Sequence, residues 1–478
     1  MWLKKDELCV TMLKKKRMVI FMQSYELKPT RENILDAIIR DTIGRNKDVF
    51  AFADIFNSLE DSCSIAIDGS WGSGKTFFVN QVKMFLDANN DFVSSMCEDD
   101  QATIISAWKT FHKNSDPEYQ SHISVYYDAW ENDNDQDPIL SLVYTILKSV
   151  DADFEVPNDV GFVKIAANIL EFFTGKNWNN LIDGFRSEDP LDELKKAKAI
   201  EEEIRCFLDK LLEERGNRLV VFVDELDRCK PSYAVRLLER IKHYFENDRI
   251  TFVFSINTKE LQHTIKRYYG ADFDACRYLD RFFDIRLSLP PIDMESFYRS
   301  IDFDSSRYTY DMVCHSVICR YNFSIRETAK YLRMMRMAAY GATHGNPKGY
   351  SFSFAEGKAT HFCLCYVIPI MIGLKFSDAQ RYDNFIHGRD ASPLLEFVDV
   401  SEHIFNALLT RDEAYEACGE NIKVVTVSEK LEAVYDALFK TTYDRGMYHK
   451  YVGEYEFNKQ NKELIIRTAS LFSRFTEV

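Results

Sequence analysis

Gly69-Ser70-Trp71-Gly72-Ser73-Gly74-Lys75-Thr76 fills every fixed place of the phosphate-binding loop pattern and follows directly on the apolar run Ser64-Ile65-Ala66-Ile67-Asp68. Glycines at these places let the backbone fold back so that its N–H groups point inward at phosphate oxygens, a path that side chains would obstruct. Lys75 is placed to reach the terminal phosphates, and the Thr76 hydroxyl to ligate Mg²⁺. From Phe77 to Val82 the pattern continues as a helix, whose N-terminus adds its dipole to the anion site. A Gly/Ser surface turn would not account for Lys75-Thr76.

Strand-like and helix-like segments alternate on either side of this loop. Residues 33–39 and 48–59 read as amphipathic helices, 123–128 as a second strand, and Asp137-Pro138 as a helix start with proline behind an acidic cap. Leu219 to Val223 is wholly apolar, the signature of a strand buried on both faces of a parallel sheet. Strands at 250–257 and 283–289 follow, separated by helices at 232–245 and 259–269. The expected fold class is therefore α/β: a phosphate-loop NTPase core with a parallel, doubly wound β-sheet flanked by helices, followed by an all-helical C-terminal domain. The expected division is an N-terminal extension at 1–29, the nucleotide domain at 30–291 with a helical insert at about 151–215, and the helical domain at 292–478. Residues 87–115 read as a polar surface segment.

The chain has 478 residues, 46% hydrophobic and 28% charged, with a net charge of −15. That composition is globular, and the charge argues against a general nucleic-acid coat, since duplex binding is led by phosphate neutralisation. Eleven cysteines lack paired zinc-ligand spacing, with Cys363-Leu364-Cys365 and the pair Cys314 and Cys319 the nearest approaches. They read as reduced thiols of a cytoplasmic protein. The basic start before Met18-Val19-Ile20-Phe21-Met22 reads as an upstream extension, with Met18 or Met22 as the native start. The most apolar run, 362–374, contains Pro369 and reads as a buried core helix, so no transmembrane span is expected.

Val220-Val221-Phe222-Val223-Asp224-Glu225 supplies what the loop lacks. The strand brings Asp224 to its carboxyl end, where it can hold the Mg²⁺ hydration shell, and Glu225 is placed to orient or deprotonate an attacking water. Asn257, ending the neighbouring strand, is either a sensor of water or phosphate or a cap for the following helix. Arg281, and less so Arg277, stand before the last strand, where a guanidinium offered across a subunit boundary could neutralise transition-state charge. Arg326 begins a C-terminal helix and is either a phosphate-reaching link between the domains or an exposed helix-start residue.

These segments, together with Asp128-Ala129-Trp130-Glu131-Asn132-Asp133, Asp137-Pro138 and above all Asp224-Glu225-Leu226-Asp227-Arg228-Cys229-Lys230-Pro231, resemble the KAP family of P-loop NTPases over roughly residues 30–345. The resemblance implies a core related to the AAA+ and STAND ATPases, ATP with Mg²⁺ as ligand, and a helical region that senses the nucleotide. By that resemblance Lys75 and Glu225 take the catalytic roles, and Thr76 and Asp224 the metal-binding roles, already argued from chemistry, with Gly69 to Phe77 at the nucleotide; Asn257 and Arg281 as catalytic groups and Arg326 at the nucleotide rest on their positions alone. Asp227 and Arg228 share the family pattern as braces of the site or contacts to a neighbour, while Trp130 is expected to pack at its strand end. Many relatives carry transmembrane helices between the two nucleotide motifs. Residues 151–200 are too polar for that here. Arg281-Phe282 stands where relatives often have lysine, which favours an oligomer with shared sites.

The expected function is a Mg-dependent ATPase acting as a nucleotide-dependent conformational switch, with self-association or partner proteins of the same operon. The resemblance points to bacterial anti-phage defence. The rival readings are an AAA+-like nucleic-acid motor or loader, an ATP-bound scaffold without turnover, and a small-molecule kinase.

Overall fold

The computed structural model describes residues 27–93, 96–112, 119–135, 137–153, 190–245, 247–306, 309–342, 357–398, 415–418, 421–424, 426–443, 448–453 and 455–470. The expected N-terminal extension up to residue 26, and the expected insert from 154 to 189, lie outside them. Two compact units are present, Leu27–Phe297 and Tyr298–Val478.

The first unit is built on five parallel strands: β1 (Cys63–Asp68), β2 (His122–Asp128), β3 (Arg218–Asp224), β4 (Ile250–Ile256) and β5 (Ile285–Ser288). Their order across the sheet is β2-β3-β4-β1-β5. Helices α1 (Arg31–Arg40), α2 (Asn46–Ser58), α3 (Lys75–Ala88) and α4 (Glu98–Phe111) precede β2. The helices α5 (Pro138–Asp153), α6 (Pro190–Arg215), α7 (Pro231–Tyr244), α8 (Thr258–Tyr269) and α9 (Ala275–Leu279) come after it.

Strand β3 shows why this sheet is sandwiched. Leu219, Val221 and Val223 join the core formed with α5 to α9, while Val220 and Phe222 join the core formed with α1 to α4. Side chains alternate between faces along a strand, so an uninterrupted apolar run is stable only where both faces are covered. Residues 87–115 depart from the expected surface segment. Within them α4 forms, burying Ile104 and Trp108 against the α2–α3 side, and the Trp108 indole donates to Asp54 Oδ1 at 3.2 Å. Those two buried residues lie one helical turn apart, a stripe too narrow to stand out in the sequence.

At the amino end of the sheet, the Arg218 guanidinium donates to the carbonyls of Leu59 (2.7 Å), Asp61 (3.0 Å) and Asp248 (2.9 Å) and to Thr251 Oγ1 (3.0 Å). Beside it, His122 is buried, with Nε2 3.0 Å from Asn57 Oδ1. Burial, aided by the Arg218 charge, pulls its pKa down to about 4. The folded ring therefore stays neutral where the unfolded ring, at about 6.5, takes a proton. The contribution to stability is full above about pH 6.5 and is lost as pH falls toward 4, by about 3 kcal/mol in total. Between pH 7 and pH 5, urea unfolding should cost the wild type about 2 kcal/mol more than His122→Gln. Equal losses in the two proteins would remove His122 from the pH response.

The second unit is mainly helical, as expected. Two short antiparallel hairpins, Tyr415–Cys418 with Asn421–Val424 and His449–Val452 with Tyr455–Asn458, are set among its helices. The apolar run at 362–374 lies in the helix Lys358–Ser377. By length and mean hydropathy (1.6) this helix could cross a membrane, but 78% of its apolar window is buried inside the structure, as in a core helix.

Candidate nucleotide site

The loop after β1 is held at both ends. Gly69 N–H donates to Ile256 O (3.1 Å), and Asp68 Oδ1 accepts from Thr258 N–H (2.8 Å), which ties the loop to the carboxyl end of β4. Gly72 (φ 82°) and Gly74 (φ 87°) take left-handed backbone, where a Cβ is strained. A Cβ on Gly69 would come within 2.7 Å of Ser73 Oγ. The resulting cradle opens at the N-terminus of α3, whose cap residue is Gly74. Lys75 is buried and donates to Gly69 O (2.7 Å) and Ser70 O (3.2 Å). Burial lowers its pKa, and the nearby charges of Asp227, Asp224 and Glu225 oppose that shift. Thr76 is half-buried on the first turn of α3. The Phe77 side chain is buried in the core, so only its backbone faces the loop's chemistry.

Asp224 ends β3, in register with Ser255 on β4 and Asp128 on β2. It is buried, and its carboxylate accepts from Tyr126 OH (3.0 Å) and from the Glu225 N–H (2.9 Å). Glu225 turns the chain out of the strand with φ 60°. Its carboxyl is pushed up to about 7 by burial and by Asp224, against the pull of Arg228. Arg228 Nε lies 2.5 Å from Glu225 Oε2. Asp227 is buried and accepts from the Trp71 indole N–H at 2.7 Å. That bond joins the phosphate loop directly to the acidic segment after β3.

Two side chains here escape the sequence reading, and a third makes a contact it does not show. Tyr126 faces Asp224 only because β2 and β3 pair in this register, which spacing does not show. Trp71 reads as a nucleotide-binding place of the loop, without its bond to Asp227. Arg45, between α1 and α2, is buried under the loop, donating through Nη2 to Ser73 O (3.3 Å) and to Pro290 O. Burial pulls its pKa down to about 10. Nothing in the sequence marks it. Removing it strands two carbonyls, so Arg45→Met should lower stability by about 1–3 kcal/mol in urea unfolding. Unchanged stability would show that it is no bracket.

Asn257 caps α8, its side chain accepting from Glu260 N–H at 3.4 Å, and sits at the end of the strand between β3 and β1. Arg281 is exposed in the turn before β5, where its carbonyl accepts from Lys242 Nζ (2.9 Å). Arg277 is likewise exposed, its N–H bonded to Asp274 in the cap of α9. Arg326 is exposed in the first turn of the helix Ile325–Ala342 in the second unit.

A model of the KAP family P-loop domain matches residues 47–336. The chain belongs to the KAP family of P-loop NTPases. An uncharacterized protein of Methanocaldococcus jannaschii is 35% identical over 75 residues, covering 15% of this chain and 39% of that relative. The chain thus spans well under half the length of the relative it matches. The KAP membership accords with the residues at the cradle. Arg45, Ser73, Asp227 and Ser255 each carry a buried polar atom without a hydrogen-bond partner among the described residues. Each sits in the loop, beneath it, or at the strand ends beside it. Left-handed glycines, a desolvated ammonium and these open polar atoms suit a polyphosphate with a divalent cation.

Proposed function

We propose that this KAP protein binds ATP with Mg²⁺ at Gly69–Thr76 and hydrolyses it, using nucleotide state as a conformational switch. The observation that carries the reading is the Trp71 to Asp227 bond, which sets the phosphate loop against the segment bearing Asp224 and Glu225. Backbone N–H groups of the loop between Ser70 and Phe77 and the Lys75 ammonium would hold the phosphates, and Thr76 and Asp224 the metal. Bound Mg²⁺ supplies charge neutralisation on the transferring phosphoryl group. Tyr126 fixes the orientation of Asp224 by its hydrogen bond. Glu225 takes the proton of the attacking water, a role suited to a carboxyl that titrates near neutrality. Asn257, at the strand end between the two motifs, is the proposed phosphate sensor, with Arg281 the contribution of a neighbouring copy. Arg326 is the proposed link to the C-terminal unit.

Support for an anti-phage role comes from family resemblance alone. A cytoplasmic setting is supported by the free, buried thiols of Cys63, Cys229, Cys314, Cys363 and Cys365. The test is phosphate release from ATP by the purified full chain, alone and with DNA, beside Lys75→Ala and Glu225→Gln. Wild type and variants equally inert while ATP still binds would leave the scaffold. Stimulation by DNA would favour the motor. A strict monomer with and without ATP would remove the shared-site role of Arg281.

A further inference from the structure

The mechanism gives no work to Arg228 or Trp130, yet both stand at the edge of the site. The Arg228 guanidinium lies between two indoles, its Cζ 5.4 Å from the Trp130 ring centroid and 6.0 Å from that of Trp71. Both tryptophans are about half exposed, at 49% for Trp71 and 51% for Trp130. A cation close to two aromatic faces gains from both ring quadrupoles. The same guanidinium holds Glu225 by Nε at 2.5 Å. Glu225 itself has left-handed backbone, which a non-glycine residue keeps only when its surroundings hold it there.

A carboxylate engaged this closely by a guanidinium has one oxygen taken up by that bond and its orientation set by it. We propose that Arg228, clamped between Trp71 and Trp130, is a positioning residue that holds the Glu225 carboxylate out of use in the resting chain, and that Trp71 releases it when the phosphate loop is filled. This rests on Glu225 as the proton acceptor.

The lever is visible in the loop. Lys75 Nζ is folded onto the carbonyls of Gly69 and Ser70, the two residues immediately before Trp71. When Lys75 turns to a phosphate it lets go of both carbonyls, and the backbone carrying Trp71 is free to shift. A shift there strains the Trp71 to Asp227 bond and withdraws one face of the clamp. Arg228 then loses its seat, and Glu225 its partner.

The experiment reads indole emission and steady-state kinetics on the full chain. Adding ATP and Mg²⁺ should change the emission of the wild type. Trp71→Phe should lose most of that change, because it removes one ring together with the bond to Asp227 through which Arg228 and Trp130 would respond, and Trp108 is buried elsewhere in the core. Arg228→Gln should show a smaller change, since the Trp130 ring responds only through Arg228. Its kcat should rise about fivefold with KM within about twofold of wild type. Arg228→Lys keeps the charge without the flat fork and should fall between. If Arg228→Gln does not fold, Trp130→Ala opens one face and carries the same expectation.

A lower kcat in Arg228→Gln, or a wild-type emission response in that variant, overturns the clamp while leaving the ATPase reading intact. If the wild type turns over no ATP, the ATPase reading fails and emission alone decides the clamp. A response smaller in Arg228→Gln than in wild type supports it, and an equal response in the variant overturns it.

Discussion

Glu225→Gln is expected to lower ATP turnover by about 10²- to 10⁴-fold while ATP binding stays within about twofold of wild type. The amide keeps the size and most of the hydrogen bonding of the side chain but cannot take a proton from water. The position favours that role physically. Burial and the neighbouring Asp224 carboxylate raise the Glu225 carboxyl to about 7, so that near neutral pH it can both lose a proton and accept one. Phosphate release at saturating ATP, set beside equilibrium titration with a fluorescent ATP analogue, separates the two quantities. Turnover that survives the substitution would assign the proton to another group and leave Glu225 as a structural turn residue.

Lys75→Ala is expected to weaken ATP binding by about 10- to 100-fold, with turnover falling alongside. The ammonium is already stripped of most of its water and rests on two loop carbonyls within the field of three carboxylates. A phosphate would meet a cation whose desolvation has been met on folding, which is why its loss should register in affinity first. Calorimetric titration with ATP and Mg²⁺ measures this directly. An affinity within twofold of wild type would mean that the loop is not the phosphate seat, whatever its sequence. Thermal unfolding run in parallel distinguishes lost binding from lost fold, because the substitution also frees the carbonyls of Gly69 and Ser70.

What could be read from the sequence was whatever depends on neighbours along the chain. β3 and β4 are unbroken apolar runs, and the loop needs glycine at places set by its own backbone. The unread remainder depends on residues brought together by pairing and burial. Tyr126 meets Asp224 through strand register, and Arg45 reaches Ser73 and Pro290 from a connection between two helices. Trp71 and Trp130 face one guanidinium although far apart in sequence. Asn257 had two readings from sequence, and the fold shows one of them, a helix cap, while leaving the side chain at the strand end between the nucleotide motifs. The second-unit hairpins escaped because their strands are only four residues long, too short for an alternating pattern to stand out.

The position of β2 at the rim of the sheet has a consequence for how this domain can be varied. β2 pairs with β3 alone, and α5 and α6, which bracket residues 154–189, both pack on it. The two helices that flank this stretch thus pack at the outer strand, while the phosphate loop is anchored at β4 and β1. A stretch that leaves and rejoins at a margin can be lengthened or exchanged at a cost of about 0.6 kcal/mol per doubling in loop closure. The same change between β1 and α3 would pull the cradle apart. Among the described residues, the helices bordering this stretch touch the outer strand β2, and the bonds that hold the phosphate loop run to β4.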